Sequence, residues 1–224
     1  MSHVTRRKFI GAAAGSAMVA ALEPGSLFAA ETVAIPLPSP SFGDDTFLMT
    51  ALKNRRSTRS FSSKPLPQQM LSNLLWAAFG VNRPEYGYRT APSPMNSQEI
   101  EIYVAAANGL YLYDARFHQI IKLSDKDLRE SCGIQKFVAH APLNLVYVAD
   151  FSKLGDKTDD KKLFYAAADT GFISQNVYLF CAAYGLATVV RDWISRSVLA
   201  AKMNLREQQK IILAQTVGYP AEPF

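Results

Sequence analysis

The chain is poor in the residues that hold metals or cross-links: two cysteines and three histidines in 224 residues. His3, His118 and His140 stand far apart, with no partnered cysteine at ligand spacing, so no metal site is expected. Cys132 and Cys181 would permit a disulfide in an oxidising compartment. The apolar run around Cys181 and the short loop at Cys132 favour two buried free thiols, and sequence supplies no Cα separation to decide it. No apolar run approaches the roughly 20 residues a helix needs to span a bilayer, so no membrane span is expected in the mature chain. Internal repeats, a Gly-rich dinucleotide fingerprint and a basic–aromatic stripe are also missing. Their absence removes a repeat architecture, a dinucleotide phosphate loop and nucleic acid as the partner.

What is present describes a globular protein: 49% hydrophobic and 19% charged residues. The first residues read as an address. Thr5-Arg6-Arg7-Lys8-Phe9-Ile10 is similar to the twin-arginine consensus and precedes an Ala/Gly-rich apolar run. Leu27-Phe28-Ala29-Ala30 offers an imperfect cleavage site, so residues 1–30 are expected to be a signal peptide. An ordinary secretory signal and an uncleaved anchor are the alternatives. The mature protein is then periplasmic or otherwise exported. The formal charge of +5 overstates its basicity, because Arg6, Arg7, Lys8 and Glu23 leave with the signal. A mature charge of about +3 on roughly 195 residues fits one domain, taken as residues 44–224. Pro36, Pro38 and Pro40 make residues 31–43 read as an extended linker.

Hydrophobic period orders the rest. A helix is expected from Thr46 to about Asn54, capped by Asp44 or Asp45, and a second runs from Pro67 to Phe79, ended by Gly80. Val81 to Pro94 is a loop. From Glu99 the period becomes two: Ile100 to Val104, a tight turn at Asn108-Gly109, Leu110 to Tyr113, and a third strand within Phe117 to Leu123. Ser124 and Asp127 suggest a capped helix to about Ser131. Ala141 to Ala149 is a continuous apolar strand, hence central. Lys161 to Tyr184 is a long, nearly all-apolar helix interrupted by Asp169, Gln175 and Asn176, which read as structural polar pairing rather than catalysis. Gly185 ends it. A strand Ala187–Val190, a short helix from Ser195 and a strand Ile211–Val217 follow. This order predicts an α+β sandwich: three layers, with a mixed, mostly antiparallel sheet flanked by helices.

Two polar clusters carry the chemistry. Lys53-Asn54-Arg55-Arg56-Ser57-Thr58-Arg59-Ser60-Phe61 gathers three guanidinium forks and short hydroxyl donors, a set suited to phosphate. By itself such a run is an ordinary solvated complement to a helix dipole. The second cluster is Thr90-Ala91-Pro92-Ser93-Pro94-Met95-Asn96-Ser97-Gln98-Glu99. Together with Leu74 to Pro84, Gly185-Leu186-Ala187-Thr188-Val189 and Gly218-Tyr219-Pro220, their order and spacing resemble the FMN-dependent nitroreductase family. Within it, they are similar to the branch related to peptide-azoline dehydrogenases. The resemblance runs from about Asp44 to Pro220.

That resemblance implies FMN as cofactor, with no catalytic side chain because the chemistry is the flavin's. It implies that Arg55, Arg56 and Ser57 hold the phosphate and ribityl end. Arg59 and Asn96 would meet the pyrimidine edge, with Ser93, Pro94 and Met95 lining the adjoining wall. Val190-Arg191-Asp192 would bring main chain to the reactive ring nitrogen. Two departures from the family pattern imply a looser phosphate grip and altered access: no Lys or Arg follows Lys210, and Arg191-Asp192-Trp193 is bulky. Trp193 is either a substrate-stacking ring or a core or interface aromatic. The family implies a homodimer with small-molecule electron donor and acceptor. The expected activity is reduction of a small aromatic, quinone or nitro compound in two half-reactions. An azoline or peptide dehydrogenase, or a flavin-binding envelope protein without turnover, are the alternatives.

Overall fold

The strand Leu143–Asp150 is buried along its whole length, and the molecule is layered around it. The computed structural model describes residues 34–39 and 48–222, all within the compact unit of residues 32–224. In chain order the elements are β1 (Ala34–Pro36), α1 (Leu48–Asn54), α2 (Gln68–Phe79), β2 (Val81–Arg83), β3 (Tyr88–Arg89), β4 (Ile100–Ala106), β5 (Gly109–Asp114), β6 (Gln119–Ser124), α3 (Phe137–His140), β7 (Leu143–Asp150), α4 (Asp159–Ala183), β8 (Ala187–Arg191), α5 (Arg196–Lys202) and β9 (Gln209–Gly218). The expected signal at residues 1–30, and the cap at Asp44 or Asp45, lie outside the described residues.

Seven strands form one sheet in the order β1-β6-β5-β4-β7-β9-β8. Every ladder in it is antiparallel. Alternation along β7 sends Leu143, Leu145, Tyr147 and Ala149 to one face and Val146 and Val148 to the other. The first face packs against Leu74, Leu75 and Ala78 of α2 and Ala166, Ile173 and Val177 of α4. The second packs against Leu199 of α5, Met203 just after it, Val138 of α3 and Cys132. Two cores on one sheet make the three-layer α+β sandwich. Because β7 is covered on both sides, its sequence carries no period of two.

The long helix is delimited by local chemistry. Thr158 accepts the Lys161 N–H at the N-terminus, and Asp159 and Asp160 complement the dipole there. At the other end Gly185 takes the left-handed conformation (φ 66°), and the Leu186 N–H folds back to the Cys181 carbonyl at 2.8 Å. Both cysteines are buried free thiols.

Three local readings are corrected. Residues 34–37 belong to the sheet rather than to a linker: Ala34–Pro36 pairs with Gln119–Ile121, the Leu37 N–H bonds the His118 carbonyl at 3.0 Å, and Leu37 is buried. Proline is tolerated there because β1 is an edge strand. Ser124 caps no α-helix. Its hydroxyl accepts the Lys126 N–H in a turn, Asp127 does the same for Arg129, and only a 3₁₀ turn at Arg129–Cys132 follows. The Val81–Pro94 loop contains the small β2–β3 hairpin.

Leu145→Ala, at a fully buried site, should cost about 2–5 kcal/mol in urea denaturation. Leu123→Ala, 43% exposed, should change stability by less than about 1 kcal/mol, and equal losses would contradict the assignment of the core.

Candidate functional site

The basic cluster begins where α1 ends. The Arg55 N–H closes the last turn on Ala51, and the chain then runs along the outer edge of β8, where the Thr58 N–H bonds the Thr188 carbonyl at 2.9 Å. Tyr178 of α4 is the junction. Its hydroxyl lies 2.8 Å from Ser57 Oγ and accepts the Val190 N–H at 3.0 Å, and the Arg55 guanidinium sits 5.4 Å from its ring centroid. One side chain thus ties Arg55 and Ser57 to the strand carrying Val190. Arg59 is exposed, and among the described residues neither it nor Arg55 forms a salt bridge. Arg56 donates to the Asn54 carbonyl and helps wall a recess of about 240 Å³ with Tyr178, Cys181 and Thr188.

The second cluster is a tight turn. Met95, Asn96 and Gln98 all have positive φ (52°, 55° and 48°) without being glycine, a conformation costing about 1–2 kcal/mol per residue. Hydrogen bonds hold it there. Ser93 Oγ accepts the Gln98 N–H at 2.8 Å, Ser97 Oγ lies 2.8 Å from the Pro94 carbonyl, and both hydroxyls lie 3.0 Å from Glu99 Oε2.

The orientation of Asn96 follows from a residue that can only donate. Arg89 Nε meets Gln98 at 2.8 Å, so the atom it meets is the amide oxygen. Gln98 Nε2 therefore donates to the Gly87 carbonyl and to Asn96 Oδ1, at 2.9 and 2.8 Å. The Asn96 oxygen faces Gln98, and its NH₂ group is left for an acceptor outside the turn.

Both clusters are fastened to α4. Tyr178 holds the first, and Asp169, against Glu99, holds the second. The two positions are nine residues apart, about 13 Å along the helix axis. Glu99 and Asp169 are both buried, and Glu99 Oε1 and Asp169 Oδ2 have no hydrogen-bond donor. Burial, then the adjacent Glu99 carboxyl, pushes the Asp169 pKa up to about 7.

The third predicted stretch divides. Val190 cannot offer its N–H outward, because Tyr178 takes it. Asp192, two residues on, lies just beyond the last residue of β8. The Arg191 side chain enters the opposite layer, where it donates to Thr216 Oγ1, the Cys132 carbonyl and Asn144 Oδ1 at 3.1, 2.8 and 2.9 Å. Burial lowers its pKa to about 10. A Cβ on Gly133 would collide with that guanidinium. Asp192 is exposed and pairs with Arg196. Trp193 is 63% exposed and, with Ile134 and Asp192, lines an open recess of about 360 Å³. It is not a core aromatic. Asn176 donates weakly to the Ala78 and Thr90 carbonyls, a structural pairing, whereas Gln175 is exposed.

Tyr178, Arg89, Gln98 and Glu99 were not picked out from sequence as functional. Asp169 was visible only as an acid in an apolar helix, and nothing in the pattern marks Tyr178.

The sequence and the fold both have known relatives. Residues 52–219 match the model of the nitroreductase family. A protein named as a nitroreductase in Methanocaldococcus jannaschii is 32% identical over 169 residues, covering 71% of this chain and 83% of its own. A crystal structure from Ralstonia eutropha, also named as a nitroreductase, superposes with a TM-score of 0.81 at 44% identity, covering 84% and 90% of the two chains. The Escherichia coli microcin synthetase complex McbBCD shares the fold at a TM-score of 0.66 and 21% identity, covering 82% and 77%. A match over three-quarters of the sequence, on the expected sandwich, means that the chain belongs to the nitroreductase family of oxidoreductases.

Proposed function

We propose that this protein is an exported FMN-dependent oxidoreductase of nitroreductase type. In this reading it reduces a small aromatic, quinone or nitro acceptor in two half-reactions. The observation that carries the reading is the spacing on α4: an anion-seeking cluster at Tyr178 and an outward amide donor near Asp169, about 13 Å apart along one rigid helix. A ligand with a phosphate at one end and carbonyls along a flat edge at the other suits that pair of seats. Bound FMN would supply reversible uptake of a hydride and delivery of electrons to an acceptor.

The residues of this chain bind and orient. Arg55 and Ser57 grip the phosphate and ribityl end, with Arg56 in the same stretch. Asn96 donates its NH₂ group to a ring carbonyl. Arg59 would bring a permanent positive charge to the pyrimidine edge of bound FMN, which would favour the anionic reduced form and raise the potential. Because Tyr178 takes the Val190 N–H, the main-chain donor of this stretch would be Asp192, just past the end of β8. The exposed Trp193 and Ile134 beside it suit a planar acceptor. Exposed apolar side chains on α1 (Leu48, Met49, Leu52) and on α4 (Phe164, Phe172) support a homodimer. Export rests on the Arg6-Arg7 motif and is tested by cell fractionation of the full chain. The likeness to a microcin synthetase is one of fold and does not favour an azoline substrate.

Purified protein should be yellow and should release FMN on denaturation; a colourless protein that takes up no flavin on reconstitution would remove the reading. Arg59→Ala should weaken FMN binding about tenfold or more and lower the flavin's potential, measured by dye-coupled redox titration. An unchanged potential would deny Arg59 its role. Asn96→Leu should lose roughly three- to tenfold in FMN affinity. In Tyr178→Phe the Val190 N–H loses its acceptor, so its amide should exchange faster with solvent while FMN binding weakens. Wild-type protection at that amide would mean that Tyr178 does not hold the edge.

A further inference from the structure

The buried acids Glu99 and Asp169 have no part in the site as described above, yet they stand beneath it. Glu99 immediately precedes β4, its own carbonyl accepting the Asp150 N–H at 2.9 Å, and Asp169 faces it from α4. Glu99 Oε1 and Asp169 Oδ2 are both buried and both lack a donor. Among the described residues no cation forms an ion pair with either of them. Asp150 turns its carboxylate to Ser152 and Arg206, Arg89 is engaged with Gln98 and the Phe79 carbonyl, and Lys153 pairs with Glu101. The packed helix α2 contains no titratable residue. Among the described residues, the hydroxyls of Ser93 and Ser97 also face the pair. Two adjacent carboxylates in such surroundings cannot both stay ionised, and one proton satisfies both orphaned oxygens at once.

We propose that Glu99 and Asp169 hold one proton between them, and that this proton fastens the Ser93–Gln98 turn to α4, making the seat of Asn96 dependent on protonation. The path is continuous. The shared proton joins Asp169 to Glu99, and the other Glu99 oxygen meets Ser93 and Ser97. Ser93 accepts the Gln98 N–H, and the Gln98 side chain holds the Asn96 oxygen. Three left-handed residues lie in that turn, so it has a reason to relax once its anchor is lost. Loss of the proton puts two buried negative charges side by side and drives the turn away from α4. The direction of the Asp169 shift agrees. Its proton is kept in the folded protein up to about 7 and released in the unfolded chain near the ordinary aspartate value. The stability it confers is therefore full below that ordinary value and disappears as pH rises through about 7. The pair is a positioning device. Its bearing on flavin rests on the function proposed above, but the shared proton does not.

Three measurements on the purified protein test this. Infrared spectra of the wild type between pH 5 and pH 9 should show a protonated-carboxyl band that is lost near neutrality and is missing in Asp169→Asn; no such band in the wild type at pH 6 overturns the shared proton. The thermal midpoint should fall between pH 5 and pH 7 and level off above about 7.5 in the wild type, and fall less over that range in Asp169→Asn, whose amide donates permanently to Glu99. Equal slopes overturn the pair's role in stability. The FMN dissociation constant should rise by up to about tenfold per pH unit above about 7 in the wild type and hardly at all in Asp169→Asn. Parallel curves for the two proteins overturn the link to Asn96. If the first two results appear but no FMN binds at any pH, the shared proton stands and the flavin reading fails. Should Asp169→Asn not fold, Glu99→Gln replaces it, and the wild-type infrared titration decides the shared proton alone.

Discussion

The hydroxyl of Tyr178 is the contact on which the candidate site most depends. It sits on the long helix α4, touches the serine of the basic stretch, and closes an edge N–H of the last strand in the sheet. A loop bearing three arginines has no reason of its own to hold one shape, because its charges repel and its backbone donors prefer water. Tethered at Thr188 and Tyr178, it acquires the position of a rigid element without becoming one. Function on loops requires a scaffold of this kind.

The sheet is unusual in having a polar knot on each face, and the two knots are built on opposite electrostatic principles. On the α5 side a buried guanidinium is satisfied by neutral oxygens from Cys132, Asn144 and Thr216. On the α4 side two acids face each other and, among the described residues, no cation forms an ion pair with either. The first stays charged because its hydrogen bonds are nearly complete. The second reduces its charge by keeping a proton. Removing one partner from either leaves a buried polar group unsatisfied, which costs more than the intact arrangement gains. Both knots therefore act more on where segments sit than on total stability. The Arg191 network positions the Cys132–Gly133 turn, and the acid pair positions the turn that carries Asn96.

Most of the fold was legible in the residue pattern. The period of two in Ile100, Ile102 and Val104, the unbroken apolar run of β7, and the Gly185 stop each reflect local geometry that operates before any tertiary contact. Misreadings fell where local signals compete. Ser124 and Asp127 were equally suited to turns and to a helix cap, and the absence of an apolar face after them let the turns win. Three prolines near residue 36 suggested a linker, but an edge strand tolerates proline, and Leu37 had a core to enter.

By itself the sequence determined which residue types were available: guanidinium forks in one short stretch, a carboxamide some forty positions on, and an apolar helix with an acid in it. Composition and period are properties of neighbours along the chain, so these could be read directly. Tertiary structure alone decided which of them meet. That Arg191 turns into the opposite layer while Val190 meets Tyr178 follows from strand alternation combined with burial. That Glu99 stands against Asp169, 70 positions away, follows from packing β4 on α4. Hydrogen bonds and charge pairing act over a few ångströms of space whatever the distance along the chain, and only the folded chain sets those distances.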